Sequence, residues 1–313
     1  MLSFQKKTQT PKTEVAVTLD SLLLQQYHSS SLRFFLHQLS STVLAGRHLS
    51  HIRGRGLDFE DSRIYVPGDD IRNLDWKISA RTGKTHTKVF NEEKDKVLLV
   101  MVDQTSGMFF GTINKTKSVV AAELGALIGF STLDNGDRFG GIVFNETDSF
   151  LLRPSKMKSS LTRFLQVLTD YNQNLVKTKS YSAESEKYTE NILKQLASLT
   201  SQNMMVALVS DFRRLKNETY EHLAHLRMHN DVILFHVYDP FEWQLPEQEF
   251  IYSNGKRQIR VKNNQKSLIR KINKHFSDSR NDFFDKISGL KIPVIHINTE
   301  EPVAEQFGKW FAK

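Results

Sequence analysis

Two apolar runs end in aspartate, VLLVMVDQTSG at Asp103 and MMVALVSDF at Asp211, and a third, DVILFHVYDPFEW, ends at Asp239. If these runs are neighbouring strands, their carboxylates and the Thr105 hydroxyl meet beyond one edge of a sheet. Oxygen ligands from separate loops suit a hard octahedral cation such as Mg²⁺, which keeps several of its waters. The alternative is that Asp103 and Asp211 cap their own loops by accepting hydrogen bonds from nearby backbone amides. A second candidate is EHLAHLRMH, which sets His222, His225 and His229 close to one helical face and could take a transition metal, although no HExxH pairing accompanies it. Gly83-Lys84-Thr85 is not a phosphate-binding loop, because Ile78 stands where the first glycine is required.

Such residues need a scaffold. From Val97 onwards strand-length apolar runs alternate with helical patterns: strands ending at Asp103, Phe144, Asp211, Asp239 and Thr299, a short strand at Phe150 to Leu152, and helices near 118–133, 161–168, 184–199, 219–228 and 302–311. This alternation predicts an α/β fold, a mostly parallel sheet with helices on both faces, and function at the carboxyl ends of its strands. FIYS, Asn254-Gly255 and KRQIRV read as a β-hairpin inserted near 249–262, followed by a helix with Leu268, Ile269, Ile272 and Phe276 inward. Ahead of the sheet, Leu19 to Leu44 reads as a helix. Asp75 to Arg81 alternates apolar and polar residues as a strand does, with Thr85 to Phe90 as its partner in a hairpin over Leu74 to Phe90. The expected division is 1–95 for this helix and hairpin region and 96–313 for the α/β domain.

Composition narrows the function classes. With 39% hydrophobic and 25% charged residues the 313-residue chain is of ordinary globular type, and its apolar runs fall well short of the ~18 residues a membrane span needs. Lys6 and Lys7 are followed by no apolar stretch of signal-peptide type, so a cytoplasmic protein is expected. The absence of cysteine excludes disulfides and thiolate chemistry. The net charge of +8 is matched by one segment free of acidic residues, carrying Lys256, Arg257, Arg260, Lys262, Lys266, Arg270, Lys271 and Lys274. Nucleic acid is one partner for it; a solvated basic face or an acidic protein surface are the alternatives, and Phe276, its one stacking group, disfavours single-strand binding.

The loop at Asp103 resembles the first loop of the metal-ion-dependent adhesion site of von Willebrand factor A domains, Asp-x-Ser-x-Ser. Asp103 and Thr105 match it, whereas Gly107 supplies no side-chain oxygen. The resemblance implies a further hydroxyl, for which Ser159 or Ser160 is the nearest candidate, and Asp211 as the last acidic ligand.

The segment GLDFEDSRIYVPGDDIRNLDWKISAR resembles the signature of the family called "domain of unknown function fifty-eight", which precedes a von Willebrand A-like domain. The match runs through Gly56, Phe59, Arg63, Tyr65, Pro67, Gly68, Asp69, Arg72, Asp75, Trp76, Ala80 and Arg81. That resemblance implies a soluble, non-enzymatic adaptor or co-chaperone for a MoxR-type AAA+ ATPase and its client, with a weakly held Mg²⁺. Nucleic-acid binding through the basic segment and metal-dependent hydrolysis are the alternatives; no general base or nucleophile is evident near the Asp103 and Asp211 loops. In the signature, Pro67 and Gly68 suit a type II turn, Asp69 or Asp70 can pair with Arg63 or Arg72, and Asp75 with Arg81 on one strand face. The resulting network is expected to orient the hairpin or to form a docking surface.

Overall fold

A computed structural model describes residues 15–29, 58–91, 95–177, 192–194, 196, 203–213, 215–245, 250–253, 258–261 and 266–311. The chain divides into two units, residues 44–96 and the rest.

In the larger unit, strands β3 (Val97–Asp103), β4 (Arg138–Phe144), β5 (Ser149–Ser155), β6 (Met205–Ser210), β7 (Asp231–Tyr238) and β10 (Val294–Asn298) form one six-stranded sheet. Its order is β10-β7-β6-β3-β4-β5, and only β5 runs antiparallel to its neighbour. This is the doubly wound, Rossmann-like order, with the direction of winding changing between β3 and β6. The crevice beyond Asp103 and Asp211 therefore lies where such sheets bind ligands.

Strand periodicity sorts the core into two layers. Leu98, Val100 and Val102 of β3 pack into one buried cluster, Leu99 and Met101 into the other. The first layer is filled by α1 (Leu19–Leu23), α2 (Gln26–Ser29), α4 (Lys117–Asp134), α5 (Lys158–Lys177) and α9 (Val303–Phe311). The second holds Ile192, Leu193 and Leu196, α6 (Asn217–His229) and the later part of α8 (Lys266–Gly289), through Phe283 and Ile287. Helix α4 is buried on every side from Lys117 to Thr132, which explains its small and apolar composition. Gly141 of β4 is needed for close approach: a Cβ there would lie 2.3 Å from the Phe164 ring of α5. The N-terminal segment belongs to this unit, where Val17 and Leu22 are buried and the Val17 amide donates to Asn172 Oδ1 at 2.9 Å. Of the helix expected over Leu19 to Leu44, α1 and α2 are described and broken at Leu24 and Gln25; the remainder lies outside the described residues.

The inserted hairpin is present as β8 (Phe250–Ser253) and β9 (Gln258–Val261), antiparallel, with its Asn254-Gly255 turn outside the described residues. Early in α8, Ile269 is buried and Ile272 and Phe276 pack near Leu245, as their spacing implies.

The smaller unit corrects one expectation. Strand β2 (His86–Asn91) pairs with β1 (Asp58–Ile64), and the residues read as its partner form helix α3 (Trp76–Thr82). Asp75 accepts from the amides of Lys77 and Ile78, both at 3.1 Å, and Gly83 closes the helix at φ +69°. Seven residues are too few for alternation to exclude a helix, and the two caps decide the outcome. Asp75 and Arg81 consequently share no strand face.

Gly141→Ala is expected to lower stability by about 1–3 kcal/mol through overpacking against Phe164, seen as a lower urea midpoint at unchanged slope.

Candidate functional site

The edge of the sheet is closed by an ion-pair network centred on a residue the motif reading did not select. Lys117, the first residue of α4, is 0% exposed, and its Nζ lies 2.5 Å from Asp211 Oδ2 and 2.8 Å from Glu242 Oε1. Glu242 belongs to α7 (Pro240–Trp243), directly after β7, and its Oε1 also lies 2.9 Å from Arg213 Nη1. Three loops, ahead of α4, after β6 and after β7, are thus tied through buried charges. A lysine in the first turn of a helix opposes the helix dipole and is costly to bury, so its place depends on these carboxylates. That mismatch, a lone cation opening an otherwise apolar helix, was the signal available in the sequence.

The three strand-end aspartates are each engaged. Asp103 Oδ1 accepts from the Thr105 amide at 2.8 Å and Oδ2 from Ser210 Oγ at 2.6 Å. Asp211 Oδ1 accepts from the Arg213 amide at 3.2 Å. Asp239 is fully buried and accepts from the amide and hydroxyl of Thr112, the hydroxyl of Thr299 and the amide of Phe241. Loop capping, the alternative weighed for Asp103 and Asp211, describes these contacts, with the lysine pair added.

Protonation follows from the surroundings. Burial, reinforced by the negative charge of Asp211, pushes the Asp103 carboxyl up to about 6. Burial alone would also raise Asp211, but the charges of Lys117 and Arg213 outweigh it and hold its carboxyl below the usual range. Beside the network opens a cleft of ≈ 430 Å³ lined by Arg213, His236, Tyr238, Trp243, Arg280 and Phe283, among others. Tyr238 and Trp243 stack at 3.8 Å, and the Arg280 guanidinium lies 4.9 Å from the Trp243 ring centre. Burial, then the neighbouring His296, pushes the His236 imidazole down to about 3, so it stays neutral at pH 7. Phe212, between Asp211 and Arg213, is held at φ +48° and stacks on Phe283 at 5.7 Å, a strained backbone position fixed by aromatic packing.

The proposed metal-ligand set does not assemble. Strand β5 runs back along β4, pairing Ser149 with Phe144 and Ser155 with Phe139, so α5 begins at the amino edge of the sheet. Ser159 and Ser160 therefore lie at the end opposite Asp103 and Asp211. The carboxyl edge receives Glu146 instead, whose Oε1 accepts from the Ser106 amide at 2.5 Å. With Gly107 offering no oxygen and Asp211 held by an ammonium, these residues do not fit a divalent cation of the adhesion-site type. Among the described residues no group of three or more histidines and carboxylates is arranged to hold a metal; His225 and His229 are 5.6 Å apart by ring centroid, while His222 is half-buried.

Of the basic segment, Arg270, Lys271 and Lys274 are exposed on α8. Arg260 lies on β9 and Lys266 opens α8, while Lys256, Arg257 and Lys262 fall outside the described residues.

In the smaller unit, Val66 to Asp69 forms the expected turn, with Gly68 at φ +110° and the Asp69 amide donating to Val66 O at 3.0 Å. Arg63 Nη2 pairs with Asp69 Oδ1 at 2.6 Å, which with the Val66 amide holds the Asp69 carboxyl below its usual range. Asp70 caps a short 3₁₀ turn through the Arg72 amide, Tyr65 N–H donates to Thr85 O, and Ser62 Oγ donates to Asp75 Oδ2. Trp76 is 71% exposed, Ile71 67% and Arg81 is exposed.

A Rossmann-like sheet with its switch-point crevice closed by buried charge is the class this geometry defines. The chain belongs to the family described as "Protein of unknown function DUF58", whose model matches residues 61–284. Uncharacterized proteins of Mycobacterium bovis and Mycobacterium tuberculosis are 33% identical to it over 115 residues, 37% of this chain and 36% of theirs. The match thus spans just over a third of the length of these curated relatives. No helix among the described residues is long and apolar enough to cross a membrane.

Lys117→Met should cost about 3–5 kcal/mol at neutral pH, because it removes the ammonium from Asp211 and leaves Glu242 only Arg213 as counter-charge among the described residues; adding Asp211→Asn should recover part of the loss in a double-mutant cycle. Asp103 binds its proton more tightly folded than unfolded, so its contribution to stability is lost as pH rises from 3.8 to about 6. Asp103→Asn should therefore raise the urea midpoint relative to the parent at pH 7 and lose that advantage below about pH 4.

Proposed function

We propose that this protein is a non-enzymatic interaction module, an adaptor or co-chaperone that works with a MoxR-type AAA+ ATPase. The observation that carries the interaction role is Trp76: the tryptophan of the family signature is 71% exposed, next to a framework of capped and paired polar groups. Tryptophan is among the residues that dominate binding energy where partners dock. Ile71 and Arg81, in the same segment, are also exposed.

The non-enzymatic part is supported by the state of the carboxyl edge. Asp103, Asp211 and Asp239 are each buried and engaged by internal donors, which supports a structural role for them over that of a general base aimed at a substrate. The von Willebrand A-like reading is supported by the strand order and by the aspartates at the switch point. The ATPase partnership itself rests on the family resemblance.

ATP-dependent co-purification of an AAA+ ATPase with the full chain is the expected result. Trp76→Ala should weaken that association about tenfold or more while leaving the thermal midpoint unchanged, since the side chain contributes little to the core. Retention of full affinity by Trp76→Ala would remove the signature surface from the docking role.

A further inference from the structure

We infer that Lys117 is a built-in cation: its ammonium does at this sheet edge what a divalent ion does in metal-dependent relatives of the fold, and the edge takes up no metal. Three observations converge. The ammonium contacts carboxylates from two different loops, Asp211 after β6 and Glu242 after β7, while its own backbone starts α4 after the β3 loop. One charge therefore cross-links three segments at the carboxyl edge of the sheet. The side chain is also fully enclosed, with Nζ 5.9 Å from the Phe110 ring centre, so the ammonium is not free to swing into solvent. Finally, the neighbouring carboxylate oxygens already accept internal hydrogen bonds: Asp103 from Ser210 and Thr105, Asp211 Oδ1 from the Arg213 amide.

Electrostatics makes the two cations exclusive. A divalent ion sharing Asp211 with the ammonium would place three positive charges within a few ångströms at a buried site, where like charges repel far more strongly than in bulk. A small ion of this kind keeps several waters but still needs a carboxylate to hold it, and the ammonium already engages Asp211 Oδ2 and Glu242 Oε1. An ammonium has three N–H donors and no fixed coordination sphere. The loops are consequently locked whatever the cellular supply of Mg²⁺ or Ca²⁺. Any partner meets them without a metal bridge, so this inference stands independently of which partner the protein serves.

The test is a Mn²⁺ titration of the EDTA-treated full chain, followed by electron paramagnetic resonance and calorimetry. The parent protein is expected to show no saturable binding that Asp103→Asn removes; saturable binding that Asp103→Asn retains lies elsewhere and upholds the inference. Saturable binding abolished by Asp103→Asn would overturn it. Lys117→Ala, which frees the carboxylates, is expected to gain Mn²⁺ binding and a Mn²⁺-dependent rise in thermal midpoint of at least about 2 °C. A folded Lys117→Ala that gains neither would overturn the stand-in role. If this variant is unfolded in EDTA, refolding is measured with Mn²⁺ present: recovery supports the inference and no recovery counts against it. Failure of ATPase co-purification would leave all these outcomes unchanged, so the two readings fail separately.

Discussion

A buried ammonium between two buried carboxylates is the constraint around which the larger unit is organised. Taking Lys117 out of water and setting it at the positive end of a helix are both unfavourable, and only close contacts with Asp211 and Glu242 offset them. Those contacts require the β6 and β7 loops to converge on the start of α4. The strained Phe212, stacked on Phe283, and the capping box of α7 at Asp239 hold the two loops in the positions the ammonium needs. Arg213 extends the network outward, its guanidinium 41% exposed and shared between Glu242 and the face of Phe276.

The network sits at the switch point, where open α/β sheets ordinarily leave room for a ligand. Here α4, buried from Lys117 to Thr132, fills that region from one side. Asp239 gathers Thr112 and Thr299, joining loops far apart in the chain. The charged edge and the aromatic cleft adjoin, with Asp211, Arg213 and Glu242 lining the cleft beside stacked rings and a neutral His236.

In the smaller unit the polar residues of the signature mostly serve the backbone. Asp69 holds a turn and Arg63, Asp70 caps a 3₁₀ turn, and Asp75 caps α3. Their spacing foretold the turn and the Arg63 pair, because such contacts are local. The same spacing misled over Asp75 to Arg81: apolar residues at Trp76, Ile78 and Ala80 alternate as in a strand, yet Trp76 is not buried at all deeply. Period-two patterning reports burial on one face, and a segment with no buried face carries no such report.

The strands, most helices of the larger unit and the placement of Asp103 and Asp211 at one edge were legible in the linear sequence. Burial imposes periodicity on long elements, and parallel strands align their carboxyl ends. The signature and family were legible because their residues recur at fixed spacing. The direction of β5 was not, and it alone moves Ser159 and Ser160 to the opposite edge. Nor was the meeting of Lys117 with Asp211 and Glu242, residues about 94 and 125 positions away in the chain. No local rule specifies which distant carboxylates will neutralise a buried lysine; three loops must first be brought together by a folded sheet. The sequence by itself determined the sheet and the loops it would offer, and tertiary structure decided that a side chain, Lys117, supplies the charge between them.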